Sequence, residues 1–151
     1  MIFQRELLFE IVNEVQGLLQ LHYDELTLNK DFVKLKPMWE RYAALERAGA
    51  FVVYTARDKK ELVGYSAFFI NQHLHYGDLT VAANDVLFLH PKHRNGRNGI
   101  RLIQFCEQEL SKQLDAFKIT WHAKMQTDLG SVLVRMGYAT EEAMFAKLLK
   151  E

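Results

Sequence analysis

The densest chemical signal in the chain is Val86-Leu-Phe-Leu-His-Pro-Lys-His-Arg-Asn-Gly-Arg-Asn-Gly-Ile-Arg-Leu-Ile103. Val86 to Leu89 is a short apolar run, as expected of a strand covered on both faces. Pro91 cannot donate to a ladder, so the strand should stop there. Gly96 and Gly99 then punctuate a basic turn. From Gly99 the period changes, with Ile100, Ile103, Cys106, Leu110 and Leu114 recurring at helical spacing. Strand, glycine turn and helix start together bring unpaired backbone N–H groups and the positive end of a helix dipole to one point, which suits an anion. Lys92, Arg94 and Arg97 add positive charge. No Gly-Lys-Ser/Thr closes the turn, so it is not a nucleotide P-loop. Only the second half of a dinucleotide fingerprint is present, on a strand in mid-chain.

Other residues able to do chemistry stand near this stretch. Asp85 lies in a mostly apolar strand, where a carboxylate must find a partner or shift its pKa upward. Strand alternation places it on the face of Leu87 and Leu89. It reads equally as a base or as a structural Asp bonded to a neighbouring loop. His22, Tyr23 and Glu25 end a first helix, His73, His75 and Tyr76 precede the central strand, and Lys124 follows the next strand. His73 and His75 would share a strand face, but no third ligand stands at a telling spacing, so no metal site is expected. Lys124 reads either as a partner for Asp85 or an acidic substrate, or as a solvated turn lysine.

These residues need elements to position them. Residues 1–5 suit a short edge strand, and Leu7, Leu8, Ile11, Val15, Leu18 and Leu19 suit a helix with one buried face. Asn29 to Lys36 reads as a loop. A second helix starts at Pro37, buries Met38, Tyr42 and Leu45, and stops at Gly49, with Trp39 and Tyr42 expected in the core. Phe51 to Ala56 and Leu62 to Ile70 are strands joined by the charged tip Arg57–Lys60, and Gly64 signals a bulge or a close backbone approach. Leu79 to Leu89 is the central strand. A helix over 99–115 and a parallel strand over 119–122 complete a β–α–β crossover. A short helix over 128–135, a stop at Gly137 and a last strand over 143–148 finish the chain.

At 151 residues the chain is most simply one domain spanning 1–151. Lysine plus arginine is 19 and aspartate plus glutamate is 19, which argues against a general nucleic-acid coat and favours a small anionic ligand at the basic turn. The one cysteine, Cys106, falls on an apolar helix face, so a reducing compartment is expected. No apolar run reaches the ~18–20 residues that span a bilayer, and the first residues lack the order of a signal peptide. A cytoplasmic protein without membrane contact is expected.

Pro91-x-x-Arg94-x-Gly96-x-x-Gly99-Ile100 resembles the acyl-CoA pyrophosphate loop of the GNAT superfamily of N-acyltransferases, usually Arg/Gln-x-x-Gly-x-Gly/Ala. Arg94 and Gly99 match its first and last positions, and Arg97 stands where the middle glycine is usual. Leu62-Val-Gly-Tyr65 resembles the strand before the central one, and Arg135-Met-Gly-Tyr138 resembles the C-terminal turn. His22-Tyr-x-Glu25 and His73-x-His-Tyr76 are similar to small members carried by phages and prophages. The resemblance implies a GNAT-like α/β fold: a mixed, mostly antiparallel twisted sheet flanked by helices, with the β–α–β unit binding acyl-CoA.

It also implies an acetyl-CoA-dependent N-acetyltransferase acting directly on a small-molecule or peptide amine, and it allows a homodimer. Lys92, Arg94, Asn95, Gly96, Arg97, Asn98 and Gly99 would hold the diphosphate, and the backbone of Leu87, Phe88 and Leu89 the thioester, with N–H groups near Phe88 to His90 left free. Arg97 would point its side chain outward from a backbone that a Cβ permits. Asp85 stands where many members carry a base-like glutamate. The tyrosine that protonates the leaving thiolate in many relatives is replaced by Leu133, leaving water, Tyr23 or Tyr76, and the sequence does not choose among them. Tyr138 is expected in the core. His22, Glu25, His75 and Lys124 would line the acceptor site, one side of which the two N-terminal helices would wall. The missing tyrosine motivates a rival, a non-catalytic acyl-CoA-binding or regulatory module. A nucleic-acid-binding role for the arginine loop is disfavoured by zero net charge.

Overall fold

A computed structural model describes residues 1–150 of the chain. Five strands form one sheet in sequence order: β1 (Ile2–Glu6), β2 (Phe51–Asp58), β3 (Glu61–Gln72), β4 (Thr80–Leu89) and β5 (Lys118–Thr120). Neighbours are antiparallel except β4 and β5, which are parallel and paired only over Val81–Ala83. Helices α1 (Leu8–Leu26) and α2 (Trp39–Arg47) cover one face, α3 (Asn98–Leu114) covers the other, and the short α4 (Leu129–Arg135) follows β5. This is the expected mixed, mostly antiparallel sheet flanked by helices.

Period-2 alternation assigns the two cores. Phe51 and Val53 of β2, Tyr65 and Ala67 of β3 and Phe88 of β4 pack under Leu8, Ile11, Val15 and Leu18 of α1. Val52, Tyr54, Phe68 and Ala82 face Leu102, Cys106 and Leu110 of α3. α1 has no side-chain cap of its own. Instead Glu46 of α2, buried, accepts a hydrogen bond from the Leu8 amide at 2.7 Å and sets a carboxylate at the positive end of α1. Arg57 ties β2 to β1 and α1 by pairing with both Glu6 and Glu14.

Gly64 is a close approach: a Cβ there would lie 2.9 Å from the Phe88 carbonyl oxygen and 2.8 Å from a Leu89 methyl. The hairpin tip between β2 and β3 narrows to Lys59 and Lys60, both at positive φ. α1 extends to Leu26, taking His22 to Glu25 into its last turns. α2 begins at Trp39, two residues after Pro37. The expected last strand over 143–148 does not form. β5 offers only three paired residues, and Met144 and Phe145 are exposed, so the segment's apolar pattern has no neighbouring strand to pair with.

One irregularity decides the site. The β3–β4 register runs Ala67↔Val86 and then Phe68↔Asn84, so Asp85 has no partner and is the extra residue of a β-bulge. The expectation that Asp85 shares the face of Leu87 and Leu89 is overturned. With the bulge, Asp85 and Val86 both turn toward α1 and α2, while Leu87 packs toward α3.

Candidate active site

The bulge delivers Asp85 into a cavity of about 610 Å³ between the sheet, α1, α2 and the irregular segment 27–38. Tyr23, Trp39, Tyr42, Tyr65 and Phe69 form aromatic walls. Asp85 is the single acidic residue lining it among the described residues. Burial pushes the Asp85 carboxyl above its ordinary range. A hydrogen bond from the Tyr42 hydroxyl to Oδ2 at 2.8 Å and the nearby charge of His122 partly offset this. Burial and the Asp85 carboxylate hold the Tyr42 hydroxyl protonated, so it acts as a donor. Asn84 secures the bulge from the opposite face: buried, it donates to the carbonyls of Ala67 and Val86 at 3.1 and 2.9 Å and to Ser66 Oγ at 3.2 Å.

A second feature opens where β5 stops. His90 donates its amide to Val63 at 2.7 Å, so alternation turns the amides of Phe88 and Val86 toward β3 and those of Leu87 and Leu89 away from it. The free N–H groups are therefore those of Leu87 and Leu89, not those of Phe88 and His90. Both point to the side where β5 pairs no further than Ala83. Beyond Leu89 a single 3₁₀ turn (Pro91–His93) leads to the basic loop. Gly96 takes φ +71, which few side chains tolerate, while Arg97 takes φ −106, as a residue with a Cβ requires, and is exposed. Among the described residues, no backbone amide from Asn95 to Ile100 donates to a backbone carbonyl outside α3, and α3 has no side-chain cap. Its first turn carries no acidic residue, and the space above Gly99 is open. These amides are the groups an anion would satisfy.

The side chains around the loop are used differently from expectation. The guanidinium of Arg94 is bidentate to Glu25 (2.6 and 2.7 Å), donates from Nε to the Leu89 carbonyl at 2.7 Å and lies over the Phe88 ring. It joins the loop to the last turn of α1, and this pairing leaves Glu25 outside the cavity lining. Arg94 holds the Glu25 carboxyl below its usual range, chiefly through these hydrogen bonds. Asn98 braces the loop by donating to the His93 carbonyl. Lys92, Asn95 and Arg97 are exposed. Lys124 donates to the Leu26 carbonyl at 2.8 Å, closing the end of α1, and is not paired with Asp85.

His22 stacks on Phe88 (centroids 4.8 Å apart), and its Nδ1 meets the Tyr65 hydroxyl at 2.9 Å. Burial, with the Lys124 charge next, lowers its pKa to about 4, so it is neutral near pH 7. Tyr23 lines the cavity, but its hydroxyl donates to the Val33 carbonyl at 2.6 Å. His75 and Tyr76 sit with His73 in the exposed turn at the Thr80 end of β4. Leu89 is roughly 30 Å along the strand from there. The structure does not bring them to Asp85 or to the loop.

Comparison with known proteins adds the deciding observation. The sequence model described as the acetyltransferase (GNAT) family matches residues 15–138. The chain belongs to the GNAT acetyltransferase family. GNAT members transfer acyl groups to amines, and the chain is an acyltransferase of that N-acetyltransferase kind. No curated protein sequence matches it. Among solved structures it is similar to a ribosomal-protein-alanine N-acetyltransferase from Brucella melitensis biovar Abortus, with TM-score 0.73, 17% identity and coverage of 99% of this chain and 100% of that one. An aminoglycoside acetyltransferase from an uncultured soil metagenomic sample gives TM-score 0.74, 16% identity and coverage of 99% and 98%. Glucosamine-6-phosphate N-acetyltransferase from Arabidopsis thaliana gives TM-score 0.70, 12% identity and coverage of 99% and 100%. At these identities the likeness is one of fold.

Leu133, where the resemblance expects a tyrosine, is buried, and Tyr138, half-buried, hydrogen-bonds Glu107. Cys106 is fully buried against the sheet, and burial pushes its thiol up to about 12, which makes it no nucleophile. No described helix is long and apolar enough to cross a membrane. Sequence reasoning missed four residues: Tyr42, the partner of Asp85; Asn84, which fastens the bulge; Tyr65, which joins His22 to the cavity wall; and His122, whose charge acts on Asp85. For Asn84 a signal existed, an amide side chain in an apolar strand, which must find hydrogen-bond partners when buried and which the open carbonyls of a bulge supply.

Proposed function

We propose that the protein is an acetyl-CoA-dependent N-acetyltransferase in which Asp85 is the base. The amides of Asn95 to Gly99, with Lys92 and Arg97 alongside, take the diphosphate. The amides of Leu87 and Leu89 hold the thioester carbonyl, where one well-aimed donor can contribute ~2.7–4 kcal/mol to the transition state. The acceptor enters the cavity as an ammonium and loses a proton to Asp85. The freed nitrogen lone pair attacks the carbonyl carbon, the C–S bond breaks, and the nitrogen's surplus proton passes through water to the departing thiolate, leaving a neutral amide and the free thiol. Tyr76 is too remote to supply that proton, and the Tyr23 hydroxyl is committed to Val33. No acyl-enzyme forms, since the only thiol is buried. A cytosolic setting suits that lone buried cysteine.

The observation that carries this reading is the pairing of a bulge-presented carboxylate with unused amides at the start of α3. Thiol release from acetyl-CoA on adding an amine panel tests it. Release that Asp85→Asn abolishes supports it, and release unaffected by that change removes Asp85 from the mechanism. A second reading, an acyl-CoA-binding module without catalysis, is favoured by Leu133 in the tyrosine's place. Native mass spectrometry showing retained CoA, together with no thiol release for any amine, would select it.

A further inference from the structure

We infer that the acceptor is a small molecule with one ammonium group, an apolar or aromatic body, and an anionic group at its far end. This rests on the reading of Asp85 as the base. The cavity has the size of a small-molecule site and is too apolar to solvate a string of charges. Its walls are Trp39, Tyr42, Tyr65, Phe69 and aliphatic side chains, which suit a ring or chain. The charges lining it are one carboxylate against three cations, Lys34, Lys36 and Arg41. All three are exposed, and among the described residues none of them takes part in an ion pair. Two of them lie on the irregular segment 27–38 and the third on the first turn of α2, whereas Asp85 lies on the sheet. A polycation would meet three like charges and find one partner, while an amino acid-like zwitterion finds a partner at each end.

The probes are 4-(aminomethyl)benzoate, benzylamine and spermidine, compared by kcat/KM in acetyl-CoA thiol release. They are compared also by the thermal shift each gives the protein. The expected result is a preference of at least tenfold for 4-(aminomethyl)benzoate over benzylamine, with spermidine poorest. In Lys34→Glu/Lys36→Glu that preference should fall at least tenfold, with the acetyl-CoA KM unchanged. A wild type that favours spermidine, or a preference for the acid that survives the charge reversal, overturns the inference. Should no amine release thiol, the catalytic reading falls. The thermal shifts then decide the inference separately, since the benzoate must still stabilise wild type more than benzylamine does, and must lose that advantage in the variant.

Discussion

Replacing Tyr42 with phenylalanine isolates the environment of Asp85. The ring sits 4.8 Å from that of Phe51 and 6.4 Å from that of Phe69, contacts a phenylalanine keeps, so the change removes one hydroxyl and its hydrogen bond to Oδ2. A hydrogen bond to a charged group contributes about 1.5–3 kcal/mol, and the half-open cavity argues for the lower end. At 1.36 kcal/mol per pKa unit, the carboxyl, already raised by burial, should rise by about one unit more. A base must be ionised to act, so the rate climbs with pH through its pKa. The acid limb of kcat/KM should therefore lie above the ordinary carboxylate range in the wild type and move about one unit higher in Tyr42→Phe. Below the limb the variant should be about tenfold slower, and on the plateau equal to wild type. Thiol release measured from pH 4 to 9 gives both profiles. A limb that stays in place while the plateau drops would show that Tyr42 only shapes the cavity and that Asp85 is not the titrating base.

Asp85→Asn should abolish activity and yet raise the melting temperature at pH 8. Because the folded carboxyl binds its proton more tightly than the unfolded one, stability falls as pH rises from the unfolded to the folded pKa, and the variant, scanned calorimetrically, should lack that fall. His22 works in the opposite direction: neutral in the fold with a pKa of about 4 against 6.5, it withdraws stability as pH drops between those values, on the order of 2 kcal/mol after allowance for partial exposure. His22→Phe should flatten melting temperature against pH across that window. Gly99→Glu meets open space, suits the first turn of a helix, and sets a negative charge before the unused amides. The acetyl-CoA KM should rise about tenfold, equivalent to ~1.4 kcal/mol, with no loss of melting temperature. Glu46→Ala leaves the Leu8 amide without its acceptor and should cost about 1–3 kcal/mol in urea unfolding.

The strand, turn and helix start around Gly96 and Gly99 were legible because their parts are local: an apolar run, a proline stop, two glycines and a change of period lie within eighteen residues, and the resemblance rests on the same stretch. Gly64 was legible as a close approach for a similar reason, since glycine inside a strand has few other causes. The face of Asp85 was not. A bulge leaves no mark in composition, and one extra residue reverses the parity on which the alternation argument stands. Arg94 was assigned to the anion because Glu25, its partner, is 69 residues away, and pairing at that separation is a property of the fold. The predicted last strand failed because apolar periodicity specifies what a segment can do, while a neighbouring edge decides whether it does.

The unpaired position in β4 has a consequence for how this chain can change. Residue 85 belongs to no rung of the ladder, so swapping its side chain leaves every cross-strand pair in place, and the chemistry there can be rewritten without retuning the scaffold. Removing the residue altogether leaves those pairs in place too. Ala67↔Val86 and Phe68↔Asn84 would become consecutive rungs, so the ladder turns regular while Thr80 to Asn84 keep their partners and Ala82 and Asn84 stay beneath α3. Folding that tolerates both substitution and deletion at this one codon, with acetyl transfer lost in both, is the signature that this geometry would leave in a mutational scan.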